Sequence, residues 1–200
     1  MSRLLSQLRM WMLALAMAAV GAVLPAAAAT PAAARAAVDT IPVGDNPLGV
    51  TVSPLGHRVY VADAGDDSVS VIDRSSNAVI ATIPVGDSPA GVAVGGVGTL
   101  LYVTNQGSDS VSVINTITNS VVTTIPAADG PGAPAASPTQ NRLYVVHGGS
   151  NTLSVINTDT YAVIRTVPVG ASPGGLAVSP DGKSVYVSSQ SDDTVTAIAT

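Results

Sequence analysis

Two sets of polar residues recur at one spacing and hold most of the chemistry the chain offers. Asp63, Asn105, His147 and Ser189 stand 42 residues apart, and so do Asp67, Asp109, Asn151 and Asp193. Asp63, Asp67, Asn105, Asp109, His147, Asn151 and Asp193 are the candidate ligand-binding residues. Seven oxygen- or nitrogen-bearing side chains on one face could cage a hard cation such as Ca2+. The alternative is structural: an Asp or Asn once per repeat closes its own hairpin by bonding its own backbone. Strict recurrence favours the structural reading, because a fold requirement repeats with the unit whereas a site is asymmetric. His147 departs from its set and is the side chain best suited to titrate or ligate. Its available partners are Asp, Ser or the other histidine, His57, which lies in a loop on the opposite face. The chain has no Cys or Glu, no G-x-S-x-G elbow and no P-loop. The Gly-rich run from Gly91 to Gly98 lacks the strand-then-helix context of a dinucleotide site. The residues therefore name no catalytic group, no metal and no cofactor.

The spacing itself identifies what positions these residues. Units begin at Ile41, Ile83, Ile125 and Val167, each opening with a hydrophobic-Pro pair, and Tyr60, Tyr102, Tyr144 and Tyr186 keep the same step. The first two units are identical at 22 of 42 positions. Repeats of this length bury their apolar faces only against neighbours, as in propellers and solenoids. Each unit has four short stretches rich in Val, Ile and Thr; in the second these are 91–94, 100–104, 111–115 and 120–127. Turn residues separate them, such as Ser179-Pro180-Asp181-Gly182 and Gly107-Ser108-Asp109. Four antiparallel strands per unit describe a propeller blade. Pro42, Pro84, Pro126 and Pro168 fall in the fourth stretch, suiting an outer edge where no ladder donor is needed. In the third unit Ala133-Pro134-Ala135-Ala136 replaces Gly91-Val92-Ala93-Val94, a change read as drift in the repeat.

The predicted organisation is an export segment 1–29, a linker 30–36 and an all-β propeller domain 37–200, with units 41–82, 83–124, 125–166 and 167–200. Arg3 and Arg9 precede an uncharged apolar run, Met10 to Leu24, and small residues follow as cleavage sites. After cleavage six basic residues face 13 acidic ones, all Asp, a net charge of −7. That balance repels phosphate and excludes nucleic acid as a partner. The polar C-terminus excludes a span at that end, so no membrane span is expected after cleavage. The protein is expected to be secreted, periplasmic or at the cell surface.

The tetrapeptide Tyr102-Val103-Thr104-Asn105 lies in LYVTNQGSDSVSVINTITNSVVTTIP. Over residues 37–200 the chain resembles the YVTN-type β-propeller repeats of surface-layer and exported proteins. The resemblance implies a propeller fold; the wider group includes lactonases and the propeller domains of some oxidoreductases, and its propellers usually have seven blades. The expected role is a non-enzymatic binding or cell-envelope module, with a protein or envelope component as partner. The alternative is a lactonase- or lyase-like enzyme, or a propeller subunit of an oxidoreductase. The last unit stops after its third strand, while residues 37–43 match the outer-strand stretch 79–85. Residues 37–43 are therefore expected to pair with 194–198 and close a ring of about four blades with four strands each. An open or homo-oligomeric arc is the rival.

Overall fold

The computed structural model describes residues 40–200. The expected export segment 1–29, the linker 30–36 and residues 37–39 of the expected clasp lie outside the described residues.

Fifteen strands form four antiparallel sheets, and no helix occurs among the described residues. Sheet one holds β1 (Pro47–Val52), β2 (Arg58–Asp63), β3 (Ser68–Asp73) and β4 (Ala78–Pro84). Sheet two holds β5 (Pro89–Val94), β6 (Leu100–Asn105), β7 (Ser110–Asn115) and β8 (Ser120–Pro126). Sheet three holds β9 (Pro131–Ala136), β10 (Arg142–His147), β11 (Thr152–Asn157) and β12 (Val163–Pro168). Sheet four has three strands, β13 (Pro173–Val178), β14 (Ser184–Ser189) and β15 (Thr194–Ala199). Each sheet is an up-and-down meander, and Pro84, Pro126 and Pro168 end the outer strands as an edge position allows.

The local chemistry of the turns explains why the meander repeats. Asp67, Asp109, Asn151 and Asp193 have φ of 50°, 45°, 54° and 53°, a left-handed conformation that Asn and Asp accept readily. Between the third and fourth strands Asp73 Oδ1 accepts the N–H groups of Ser75 and Ser76. Asn115 and Asn157 repeat that turn in sheets two and three. The ladder between third and outer strand slips at Val71/Ile72, Val113/Ile114 and Val155/Ile156. A bulge kept at one place gives successive sheets the same added twist.

Three apolar clusters hold the sheets in series. The first joins Tyr60, Val69, Val71 and Ile83 of sheet one to Leu101, Val103 and Ile114 of sheet two. Tyr102 occupies the same place between sheets two and three, and Tyr144 between sheets three and four. The inner strands approach closely enough to require glycine: a Cβ on Gly49 would lie 2.7 Å from Ala90 O. A Cβ on Gly91 would meet the Pro134 ring and lie 2.9 Å from Gly132 O. Pro134, which departs from the unit pattern, thus packs over Gly91. Polar bonds also cross between sheets, from Thr104 Oγ1 to Gly132 O (2.7 Å) and from Arg58 Nη1 to Thr116 O and Asn119 Oδ1.

The expected clasp is not seen among the described residues. There β15 pairs with β14 alone, residues 40–43 belong to no strand, and no apolar cluster joins sheet four to sheet one. Closing four sheets into a ring demands a quarter-turn at every step, with a wide wedge between blades. Here Val92 near the inner edge and Ile83 on the outer strand both take part in the packing between sheets one and two. Tyr60, Tyr102 and Tyr144 are 1%, 2% and 1% exposed, whereas Tyr186 is 46% exposed. Among the described residues no further sheet covers the fourth tyrosine.

Candidate functional site

The seven expected site residues separate into two groups with different tasks. Asp63, Asn105 and His147, each the last residue of the second strand in its sheet, are fully buried. Asp63 Oδ2 accepts the Ser70 hydroxyl at 2.6 Å, and Asn105 Nδ2 donates to Ser112 Oγ at 2.9 Å and Ser110 Oγ at 3.0 Å. His147 Nε2 lies 2.8 Å from Ser154 Oγ, and its Nδ1 lies 3.2 Å from Ala128 O. Ser70, Ser112 and Ser154 are equivalent residues of the third strands. One position thus braces second strand to third in sheets one to three, and Asp, Asn and His all perform the task. The loop entering each unit covers it: a Cβ on Gly44 would lie 2.8 Å from Asp63 Cγ, and one on Gly86 2.7 Å from Asn105 Nδ2.

A carbonyl can only accept, so Nδ1 of His147 carries the hydrogen and donates to Ala128, leaving Nε2 to accept from Ser154. Burial pushes the imidazole pKa below its usual value; the Ala128 carbonyl and the Asp109 carboxylate oppose that shift without cancelling it. A hydroxyl directed at a neutral imidazole is half of a nucleophilic device. The other half is missing, because a carbonyl rather than a carboxylate orients the ring. Ser154 is itself 4% exposed, so no substrate reaches it.

Asp67, Asp109, Asn151 and Asp193 form the second group. Asp67 Oδ1 accepts the Ser88 N–H at 2.8 Å, Asp109 Oδ1 the Gly130 N–H at 2.9 Å, and Asn151 Oδ1 the Ser172 N–H at 2.9 Å. Each bond reaches from one sheet to the loop entering the next. Asp67, Asp109 and Asn151 are therefore latches between blades, and all four residues take the left-handed position of their hairpin loops. Among the described residues no group of three or more His, Cys, Asp or Glu is placed to hold a metal ion.

The opposite face carries what the sequence reading missed. A polar cleft of about 420 Å³ opens between sheets two and three, lined by Gly95, Gly96, Gln140, Arg142 and Asp159, with Tyr102 at its base. Burial, first among the causes, pushes the Tyr102 hydroxyl up to about 12, so it stays a neutral donor. The signal was present in the Gly95-Gly96 pair and in the loop Thr139-Gln140-Asn141, where the third unit departs from the others.

No family model matches the chain, and no curated protein matches it. Among solved structures it is similar to the hydrazine synthase of Kuenenia stuttgartiensis, at 25% identity and a TM-score of 0.68. The match covers 82% of this chain and 53% of that one. It is also similar to the dihydro-heme d1 dehydrogenase NirN in complex with DHE, at 23% identity and a TM-score of 0.65. That match covers 77% of this chain and 34% of the other, and at this identity it speaks for the fold alone. The blades are of propeller type. The chain spans about half the length of the first structure and a third of the second.

This corrects the expectation of a non-enzymatic module. That expectation rested on the lack of a catalytic constellation, yet the structure the chain resembles at 25% identity is, by name, a synthase. A propeller can serve an enzyme as the body that positions chemistry held elsewhere, so an absent constellation within its blades argues nothing against enzymatic work.

Proposed function

We propose that the chain is a propeller component of an oxidoreductase, exported from the cytoplasm and built of YVTN-type blades. The observation that carries this reading is the similarity to hydrazine synthase across four fifths of the chain. The residues do not fit a haem iron in this component. His147 has both ring nitrogens in hydrogen bonds inside a fully buried site, His57 is an exposed loop residue, and the sequence has no Cys. The propeller therefore serves as a rigid platform, and another component of the enzyme holds the redox group. The polar cleft beside Arg142 is the face offered to that component.

The test is to isolate the full chain, tagged, from its own cells under mild conditions. Absorbance spectra of the complex are then recorded before and after dithionite. A reducible chromophore in constant ratio to the chain is expected, and Arg142→Ala should lower that ratio. A chain that elutes with no reducible partner, in cells whose oxidoreductase activities are unchanged by its deletion, would overturn the reading.

A further inference from the structure

The two ends of the sheet series carry faces that match each other as successive blades do. At each internal step a tyrosine and two core positions of one sheet meet the leading face of the next. For sheet two that face comprises Leu101, Val103 and Ile114, with Val92 and Val94 of the inner strand packed against them. Shifted back by one unit, the same positions in sheet one are Val59, Val61, Ile72, Val50 and Val52, aliphatic at every place. Val50 and Val52 on the inner strand stand 64% and 52% exposed, whereas Val61 and Ile72 are 8% and 5% exposed, so the inner strand is the open part of this face. At the other end sheet four keeps the trailing face that its predecessors bury: Tyr186 is 46% exposed and Val195 65%. Their equivalents in sheet one, Tyr60 and Val69, are 1% and 0% exposed. Exposed apolar surface of this regularity marks a place of association.

Two finer features point the same way. Gly175 holds the position of Gly49, Gly91 and Ala133, and at Gly49 and Gly91 the next inner strand comes too close for a side chain. Asp193 keeps the left-handed conformation of the three latches, but its carboxylate makes no bond of their kind. The equivalent of the latched N–H groups of Ser88, Gly130 and Ser172 is the N–H of Asn46, at the entry to sheet one, and it too lacks that bond. Socket and latch lie at opposite ends of the described sheet series, and a second copy can bring them together.

We propose that two copies associate head to tail, with the Tyr186 and Val195 face of each covered by the Val50 and Val52 face of the other. In each contact the partner copy's Leu48 carbonyl approaches Gly175 as Ala90 O approaches Gly49, and the partner copy's Asn46 N–H donates to Asp193. A head-to-tail contact used twice closes into a ring with a twofold axis. The ring holds eight blades, within the range that propellers occupy, and replaces the quarter-turn per step of a four-blade ring with half that angle. Both copies are acidic, so added salt screens their repulsion and favours the pair.

The experiment is light scattering on the full chain across a concentration series at high salt. It is run on the wild type, on Tyr186→Asp, on Val50→Asp, and on an equal mixture of the two variants. The wild type is expected at twice the chain mass and each variant alone at the chain mass. The mixture should return to twice the chain mass, because the intact tail of one variant meets the intact head of the other. Circular dichroism confirms folding, and Val195→Lys replaces Tyr186→Asp if that variant does not fold. A wild type that stays at the chain mass refutes the proposal, as does a pair indifferent to both substitutions. A mixture that stays at the chain mass refutes the head-to-tail arrangement.

Discussion

His147→Asn tests whether the buried bracing position is structural and whether its histidine makes the fold acid-sensitive. Asn105 already fills the equivalent place in sheet two, bonding Ser112 as His147 bonds Ser154, so the substitution has an internal precedent. The sign follows from the depressed folded-state pKa. Above about pH 6.5, the ordinary value, the imidazole is neutral in both states and contributes no pH dependence. Below it the unfolded chain takes up the proton while the buried ring does not, so stability falls with pH until the folded-state pKa is reached. Between about pH 6.5 and about pH 5.5 the unfolded histidine goes from about half to about nine-tenths protonated, a loss of about 1 kcal/mol if the folded ring stays neutral. For a domain of this size that corresponds to roughly 2–4 °C in Tm. Asp73 and Asp181 also have lowered pKa values, through Ser75 and Ser179 respectively. Their contribution is lost only as pH falls through those lowered values, well below this window. Urea melts followed by circular dichroism at the two pH values, for wild type and His147→Asn, measure the difference directly. The wild type should lose about 1 kcal/mol more than the variant over the interval. Equal losses would show that His147 does not stay neutral in the fold, and the burial argument would fail.

The tyrosines offer a comparison within one molecule. Tyr102→Ala should cost about 3–5 kcal/mol, and Tyr186→Ala, under dilute low-salt conditions, less than about 1 kcal/mol; similar values in denaturant melts would contradict the open end of the sheet series. Asp109→Ala removes the acceptor of the Gly130 N–H and should cost about 1 kcal/mol more than Asp193→Ala, whose latch is unmade in a single copy. Under the same dilute conditions, equal losses would show that the latch contributes nothing. Gly91→Val drives a side chain into the Pro134 ring and Gly132 O and should cost about 1–3 kcal/mol, whereas Gly174→Ala, with nothing within 4 Å of its Cβ, should be close to neutral. Matching thermal melts for those two would refute the close approach of the inner strands.

The 42-residue period was legible because each blade is made by local rules. Alternating β-branched runs, Asp and Asn at left-handed turn positions and prolines at outer edges act within a few residues of one another. The four strand stretches of the second unit therefore fall almost where β5 to β8 lie. Asp and Asn at these turns suited the left-handed conformation observed there, but their side chains bond the loop entering the next sheet rather than their own hairpin, which a local rule does not show. What lay beyond the sequence depends on how one sheet meets another. Four identical tyrosines give no sign that three are buried and Tyr186 is not, because that depends on whether another sheet follows. The clasp depends on the same thing: residues 37–43 carry the outer-strand pattern, but pairing requires sheet four to swing round to sheet one, and the angle at each step is set by side-chain packing between blades. Asp63, Asn105 and His147 looked like a polar rim suited to a ligand. Only the tertiary structure put them under the entering loops, where burial turns them into braces between neighbouring strands.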